Sequence, residues 1–166
     1  MSGFQSSSID EQQAGANQYL TFILAGEEYG VDILRVQEIR SWQEPTRIPN
    51  MPDFILGVIN LRGNVVPIVD LRRRFALENV EFDATTVVIV VKISHKNGER
   101  TIGLVVDAVT DVNMISQDDI QTAPDFGKVV STDFVKGLAN IKDRMVILLE
   151  IDSLINVGLL QDVVGQ

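Results

Sequence analysis

Few residues in this chain are of types that do chemistry, and they do not converge. The single histidine, His95, lies in Ser94-His95-Lys96-Asn97-Gly98. That is the sequence of a hairpin tip, where an imidazole is solvated rather than held as a base or metal ligand. There is no cysteine, which excludes thiolate nucleophiles, disulfides and Cys-ligated metals together. Asp118 and Asp119 are adjacent acids. They could pair for general acid–base work, but at a helix start acids are favoured by the helix dipole. The glycines fall singly at turns, so no phosphate-cradling loop is present. A small hydrolase using carboxylates would need a convergent set of perturbed acids, and the sequence offers none. No catalytic, cofactor-binding or metal-binding residue is assigned.

The remaining candidates are residues that could dock a partner. Glu38 interrupts an apolar stretch between Val36 and Ile39, and Arg62 ends a hairpin in Asn60-Leu61-Arg62-Gly63. We expect these two opposite charges to approach one another and orient a binding surface. Arg72-Arg73-Arg74 is the densest basic cluster, read as the solvated side of a short helix or as a patch for an acidic partner. Trp42, beside a proline loop, either anchors a partner or packs under its own loop. Met51, Met114 and Met145 read as core fillers.

The elements that must position these residues are mostly strands. Tyr19–Leu24 and Tyr29–Ile33 flank a Gly26-Glu27-Glu28 turn, and Leu34–Ile39 reads as a further strand. Residues 43–53 hold Pro45, Pro49 and Pro52, a loop, with one helical turn expected over Asp53–Leu56. Val58–Leu61 and Val65–Val69 form a hairpin about Arg62-Gly63-Asn64, and Asp70 caps a short helix to Phe75. Thr85–Ile93 is continuously apolar and so buried on both faces; Thr101–Val106 is its hairpin partner. Ser116–Asp119 resembles a helix start, Met145–Ile151 a buried strand, and residues 152–166 an amphipathic terminal helix or tail. Residues 1–16 read as a flexible polar arm without a secretory signal.

The 166 residues, 45% of them apolar, suffice for one compact unit or two small ones. A formal charge of −9 disfavours phosphate backbones and anionic membrane surfaces, so no nucleic-acid partner is expected. No purely apolar run is longer than Val87–Val91, far short of the ~20 residues of a membrane helix. No direct membrane insertion and a cytoplasmic location follow as expectations.

The chain also repeats itself. Asp53-Phe54-Ile55-Leu56-Gly57-Val58-Ile59-Asn60-Leu61-Arg62 matches Asp133-Phe134-Val135-Lys136-Gly137-Leu138-Ala139-Asn140-Ile141-Lys142 at a constant spacing of 80, continuing through Val66/Val146 to Leu71/Ile151. At a spacing of 73, Gly30, Val36, Glu38 and Ile39 meet Gly103, Val109, Asp111 and Val112. Two β units from one template would hide more apolar surface together than apart, and the seam between them would offer a groove.

At this point the residues resemble a known family. Glu28-Tyr29-Gly30-Val31-Asp32-Ile33-Leu34-Arg35-Val36-Gln37-Glu38-Ile39 is similar to the first signature of the CheW-type chemotaxis coupling proteins. Phe54 through Leu71 is similar to the second, more specific one; Gly103–Asp107, Gly137-Leu138 and Met145–Leu149 fit the rest. The likeness covers about residues 18–155. It implies a mainly β fold of two SH3-like five-stranded β-barrels packed side by side. These fall at roughly 17–83 and 84–151, with short helices, a C-terminal helix, and exchange of strands between the barrels left open. It also implies function: a non-enzymatic scaffold without cofactors. One surface binds the cytoplasmic tip of methyl-accepting chemoreceptors, another the regulatory domain of the histidine kinase CheA, and further coupling-protein copies join in rings. Carried over, the receptor surface takes Val36, Glu38, Ile39, Arg62, Val87 and Val105, and the kinase surface Pro49, Phe54 and Gly57. Gly57 has two open readings, a tight backbone approach within the chain or a close approach of the kinase. The same module forms the regulatory domain of CheA kinases, and the short chain resembles the free-standing coupler. The alternative is a generic β-barrel peptide-binding module in another two-component complex, against which the specific Asn60–Asp70 motif argues.

Overall fold

Alternating and doubly apolar runs of Val, Ile and Leu turn into strands along most of the chain. In this computed structural model the described residues are 16–77, 81–95, 98–122 and 134–153. Most of the expected N-terminal arm and C-terminal helix, and the Lys96-Asn97 turn, lie outside them. The elements are β1 (Ala16–Leu24), β2 (Glu27–Asp32), β3 (Val36–Ser41), β4 (Ile55–Leu61), β5 (Asn64–Asp70) and the single-turn helix α1 (Leu71–Arg74). They continue with β6 (Val87–His95), β7 (Gly98–Val106), β8 (Ala108–Ser116), β9 (Ile120–Gln121), β10 (Val135–Ile141) and β11 (Arg144–Leu149). The first sheet has strand order β8-β1-β2-β11-β10-β9, the second β3-β6-β7-β5-β4.

The sheets do not divide at residue 83. The first joins β1 and β2 to strands from the second half of the chain; the second joins β6 and β7 to strands from the first half. Each half thus gives its leading hairpin to the other's sheet. Contiguous units at 17–83 and 84–151 would split both sheets, and exchange is how the repeat is assembled.

Both repeat spacings reappear as geometry. The parallel pair Gly30↔Leu148 in the first sheet corresponds to Gly103↔Ile68 in the second. Glycine lets the neighbouring side chain close in at both, where a Cβ would press on the Leu148 side chain at 3.0 Å or the Ile68 side chain at 2.7 Å. Bulges fall at matching places, before Gly57 and Gly137, and at Gln37 and Thr110.

β6 is buried on both faces. Ile89, Val91 and Ile93 enter a cluster between the sheets, with Leu20, Phe22, Leu24, Val31 and Leu104. Val88 and Val90 point into a smaller cluster of the second sheet, with Val66, Ile68 and Val105. The seam expected to form a groove is therefore filled by the largest apolar cluster. The two crossings between sheets are each clasped by an ion pair to the turn that follows a parallel strand. At one, Asp107 lies 2.8 Å from Arg72; at the other, Arg35 binds Asp152 side-on at 2.9 and 2.6 Å. The charges are reversed between the clasps.

Several local expectations are corrected. Leu34 does not begin a strand, because Asp32 caps the N–H of Leu34 at 2.9 Å and winds Ile33–Arg35 into a 3-10 turn. The turn expected over Asp53–Leu56 is a single one closed a residue earlier, Ile55 donating to the Pro52 carbonyl at 3.0 Å, and Ile55 then enters β4. Gln117–Asp119 forms one 3-10 turn, capped by Ser116 rather than by its acids. Arg72 is not solvated: it is 1% exposed and forks onto Asp70 at 2.9 and 3.1 Å. Met114 and Met145 stand about half exposed because the strand pleat turns them outward. Met51 does pack against the main core.

Candidate functional site

Of the sequence candidates, Arg62 lies at the tip of the β4–β5 hairpin and meets Glu38 of β3, while Phe54, Gly57 and Pro49 lie near its other end. Seven residues of β4 separate these ends by roughly 20 Å at ~3.3 Å per residue.

At the hairpin tip, Arg62 and Gly63 both take positive φ, 52° and 88°. Two successive left-handed residues make the tight turn that matches strand twist. Asn60 Oδ1 secures it by accepting the Gly63 N–H at 2.8 Å. The turn lifts the Arg62 side chain toward β3. There the bulge at Gln37 resets the alternation, so that Glu38 faces Arg62. Arg62 Nη1 lies 2.7 Å from Glu38 Oε2, and Arg40 Nη1 lies 3.3 Å from Oε1. The hydrogen bond from Arg62 draws the Glu38 carboxyl below the ordinary glutamate range, and Glu38 raises the guanidinium in return. The approach of these two charges is as the sequence led us to expect. Arg62 remains 70% exposed in its side chain, so it is oriented but still open to a partner.

Ile39 projects to the opposite face of β3 from Glu38 and is 45% exposed, while Val65 beside the turn is 55% exposed. Val36 and Val87 are half-buried and pack on the intersheet core. Val105 has no exposure at all and belongs to the inner cluster of the second sheet. It cannot touch a partner in this fold; its apolar run in β7 fills a core instead. Arg40 and Val65 were missed as sequence candidates. Arg40 was detectable by the period of two that places it on the face of Glu38.

At the other end of β4, Gly57 has φ +145°, and a Cβ there would lie 2.1 Å from the Thr46 carbonyl oxygen. Thr46 and Val58 exchange backbone hydrogen bonds of 2.9 Å, strapping the proline loop over the strand. Gly57 is therefore buried beneath its own chain, and the tight-approach reading accounts for it. Phe54 is half-buried, with the Arg74 guanidinium 5.2 Å from its ring centre and 4.2 Å from that of its repeat counterpart Phe134. Pro49 is exposed on a groove that also includes Trp42, Ile48, Met51, Leu56 and Phe82. Trp42 stacks on Phe82 at 4.2 Å, packs against the inner cluster of the second sheet and walls the groove.

Neither end holds a reactive constellation. Among the described residues no group of three or more His, Cys, Asp or Glu could hold a metal ion, and the His95 side chain is outside them. No helix among the described residues is long and apolar enough to cross a membrane. What the arrangement offers is an exposed charged pair near the tip of the β4–β5 hairpin and a groove of mixed character near its other end.

Comparison with known proteins gives a consistent picture. A family model described as "CheW-like domain" matches residues 18–158. "Chemotaxis protein CheW" of Klebsiella aerogenes is 48% identical over 139 residues, 84% of this chain and 81% of that protein. The protein of the same description from Rhizobium meliloti is 39% identical, covering 84% and 87%. The crystal structure of the scaffolding protein TtCheW from Thermoanaerobacter tengcongensis superposes with a TM-score of 0.77 at 35% identity, covering 84% of this chain and 88% of that one.

Proposed function

This chain belongs to the CheW-like family of chemotaxis scaffolds, and we propose that it couples chemoreceptors to the histidine kinase CheA without catalysing a reaction. The Glu38–Arg62 end receives the cytoplasmic tip of a methyl-accepting receptor. The proline-loop end, around Pro49 and Phe54, meets the regulatory domain of CheA. The observation that carries this reading is the separation of the two ends by the length of one hairpin, which lets both be occupied at once. The receptor surface centres on Glu38 and Arg62, with Val36 beside them, and reaches round the edge strand β3 to Ile39 on its other face and along the strand to Val87 opposite Ser41. Gly57 acts on the kinase surface by holding the strap in place.

Coupling is then geometric. A receptor and a kinase bound to one rigid body are held at fixed spacing, and a shift at either interface biases the other partner's states. Further copies of the chain join through the same kinds of contact into rings. The protein works in the cytoplasm and reaches the membrane only through its receptor. Reconstitution tests this directly. Kinase activity measured with receptor membranes should become ligand-controlled only when this chain is added. Equal control in its absence, or a kinase unaffected by it, would refute the proposal.

A further inference from the structure

The repeat lets the two sheets be compared position by position, and among their differences is a polar site that holds a carboxylate in the first sheet and none at the matching positions of the second. In the first sheet Glu28 pairs with Val146 at the start of the parallel ladder and is 7% exposed. Its carboxylate is held on both oxygens: Thr110 donates to Oε2 at 3.0 Å, and Arg144 Nη1 lies 3.2 Å from Oε1. Thr110 is itself 2.7 Å from Thr21 Oγ1, which also accepts from Asn113. This is a saturated carboxylate site.

At the repeat spacings, Thr101 stands where Glu28 stands, Gln37 where Thr110 stands, and Asn64 where Arg144 stands. The second sheet supplies no acid there. Instead a cleft opens, lined by Gln37, Asn64, Thr101, Arg62 and Arg100, with Glu99 also in its wall. Glu99 lies 3.7 Å from Lys92 and so has a cation of its own. Among the described residues the buried Nε of Arg100 has no hydrogen-bond partner, and a buried donor left unpaired is unfavourable until an acceptor arrives. Arg62 commits Nη1 to Glu38 and keeps the rest of its fork available. Amides, a hydroxyl and two guanidinium groups make a donor-rich cleft, the chemistry that recognises a carboxylate.

We propose that this cleft receives an aspartate or glutamate side chain of the receptor segment, its carboxylate taking in the second sheet the place that Glu28 holds in the first. The inference rests on the receptor-docking reading of the Glu38–Arg62 end and adds the chemical group that is bound. Thr101→Glu would restore the repeat's own acid and fill the cleft from within, while Thr101→Gln matches its size without charge. Calorimetric titration of the full chain with a receptor cytoplasmic fragment, and separately with the kinase regulatory domain, decides the matter. Thr101→Glu should weaken receptor binding at least tenfold and leave kinase binding unchanged, while Thr101→Gln, which fills the same space without a negative charge, should cost clearly less than Thr101→Glu. Arg100→Gln, which removes the orphaned donor, should also weaken receptor binding and flatten its salt dependence. Undiminished receptor binding by Thr101→Glu or Arg100→Gln, equal losses in both Thr101 variants, or a loss confined to the kinase would overturn the cleft assignment alone. A wild-type chain that binds no receptor would overturn it together with the docking reading.

Discussion

Two ion pairs of opposite character set the behaviour of single residues. Arg72 and Asp70 are buried, with side-chain exposures of 2% and 0%. Arg72 also binds the Glu81 carbonyl and Asp107, and stacks 4.8 Å from the centre of Phe82. Burial alone would lower this guanidinium, but Asp70 and then Asp107 raise it. Replacing Arg72 by Ala strands a carboxylate in the core. Chemical denaturation should then show a loss of about 3–5 kcal/mol, the usual cost of breaking a buried pair from one side. Glu38–Arg62 is an exposed pair, so its removal should hardly change stability and should act on binding. In a double-mutant cycle on receptor affinity, Glu38→Ala and Arg62→Ala should be non-additive; strictly additive losses would mean that the pair does not orient the surface. Its pH dependence has a definite sign. The folded carboxyl of Glu38 is depressed, so the pair is intact above the ordinary glutamate value of about 4.3 and fails only as pH falls through the lower folded value. An NMR titration of the Glu38 carboxyl should give a midpoint below that of Arg62→Ala.

Strands and turns explain what single residues cannot. Gly57 sits under the Thr46–Val58 bridge with a backbone angle that L side chains rarely adopt. Gly57→Ala should cost about 2–4 kcal/mol from strain and displacement of the strap, and any loss of kinase affinity should track disorder of residues 45–50 in amide exchange. An unchanged melting temperature with abolished kinase binding would instead make Gly57 a contact residue. The β4–β5 hairpin, α1 with its Asp70 cap and the doubly buried β6 were legible in the sequence because each obeys a local rule of period, turn type or capping. The 3-10 turn at Ile33–Arg35 was not. Its apolar spacing mimics a strand, and the winning term is a side-chain cap from Asp32. Met114 and Met145 misled for the complementary reason: residue type favours the core, but the pleat decides which way the side chain points. The opposed charges at Glu38 and Arg62 were readable, whereas the burial of Val105 required knowing which face of β7 is covered.

At the scale of the molecule the governing fact is reciprocal exchange of hairpins. Offsets of 80 and 73 revealed the repeat, but strand partners depend on long-range pairing that no local pattern encodes. Exchange puts the main core between the sheets and makes each half incomplete by itself. Cutting the folded chain between α1 and β6 should leave one particle holding both pieces, and after denaturant is removed neither piece should refold alone by circular dichroism. A rigid double-sheet body of this kind is suited to hold two partners at fixed distance. The most direct test is light scattering on a mixture of this chain, a receptor cytoplasmic fragment and the kinase regulatory domain. The account predicts a ternary complex whose mass contains all three, with Arg62 variants losing only the receptor. Two binary complexes that exclude one another would contradict it.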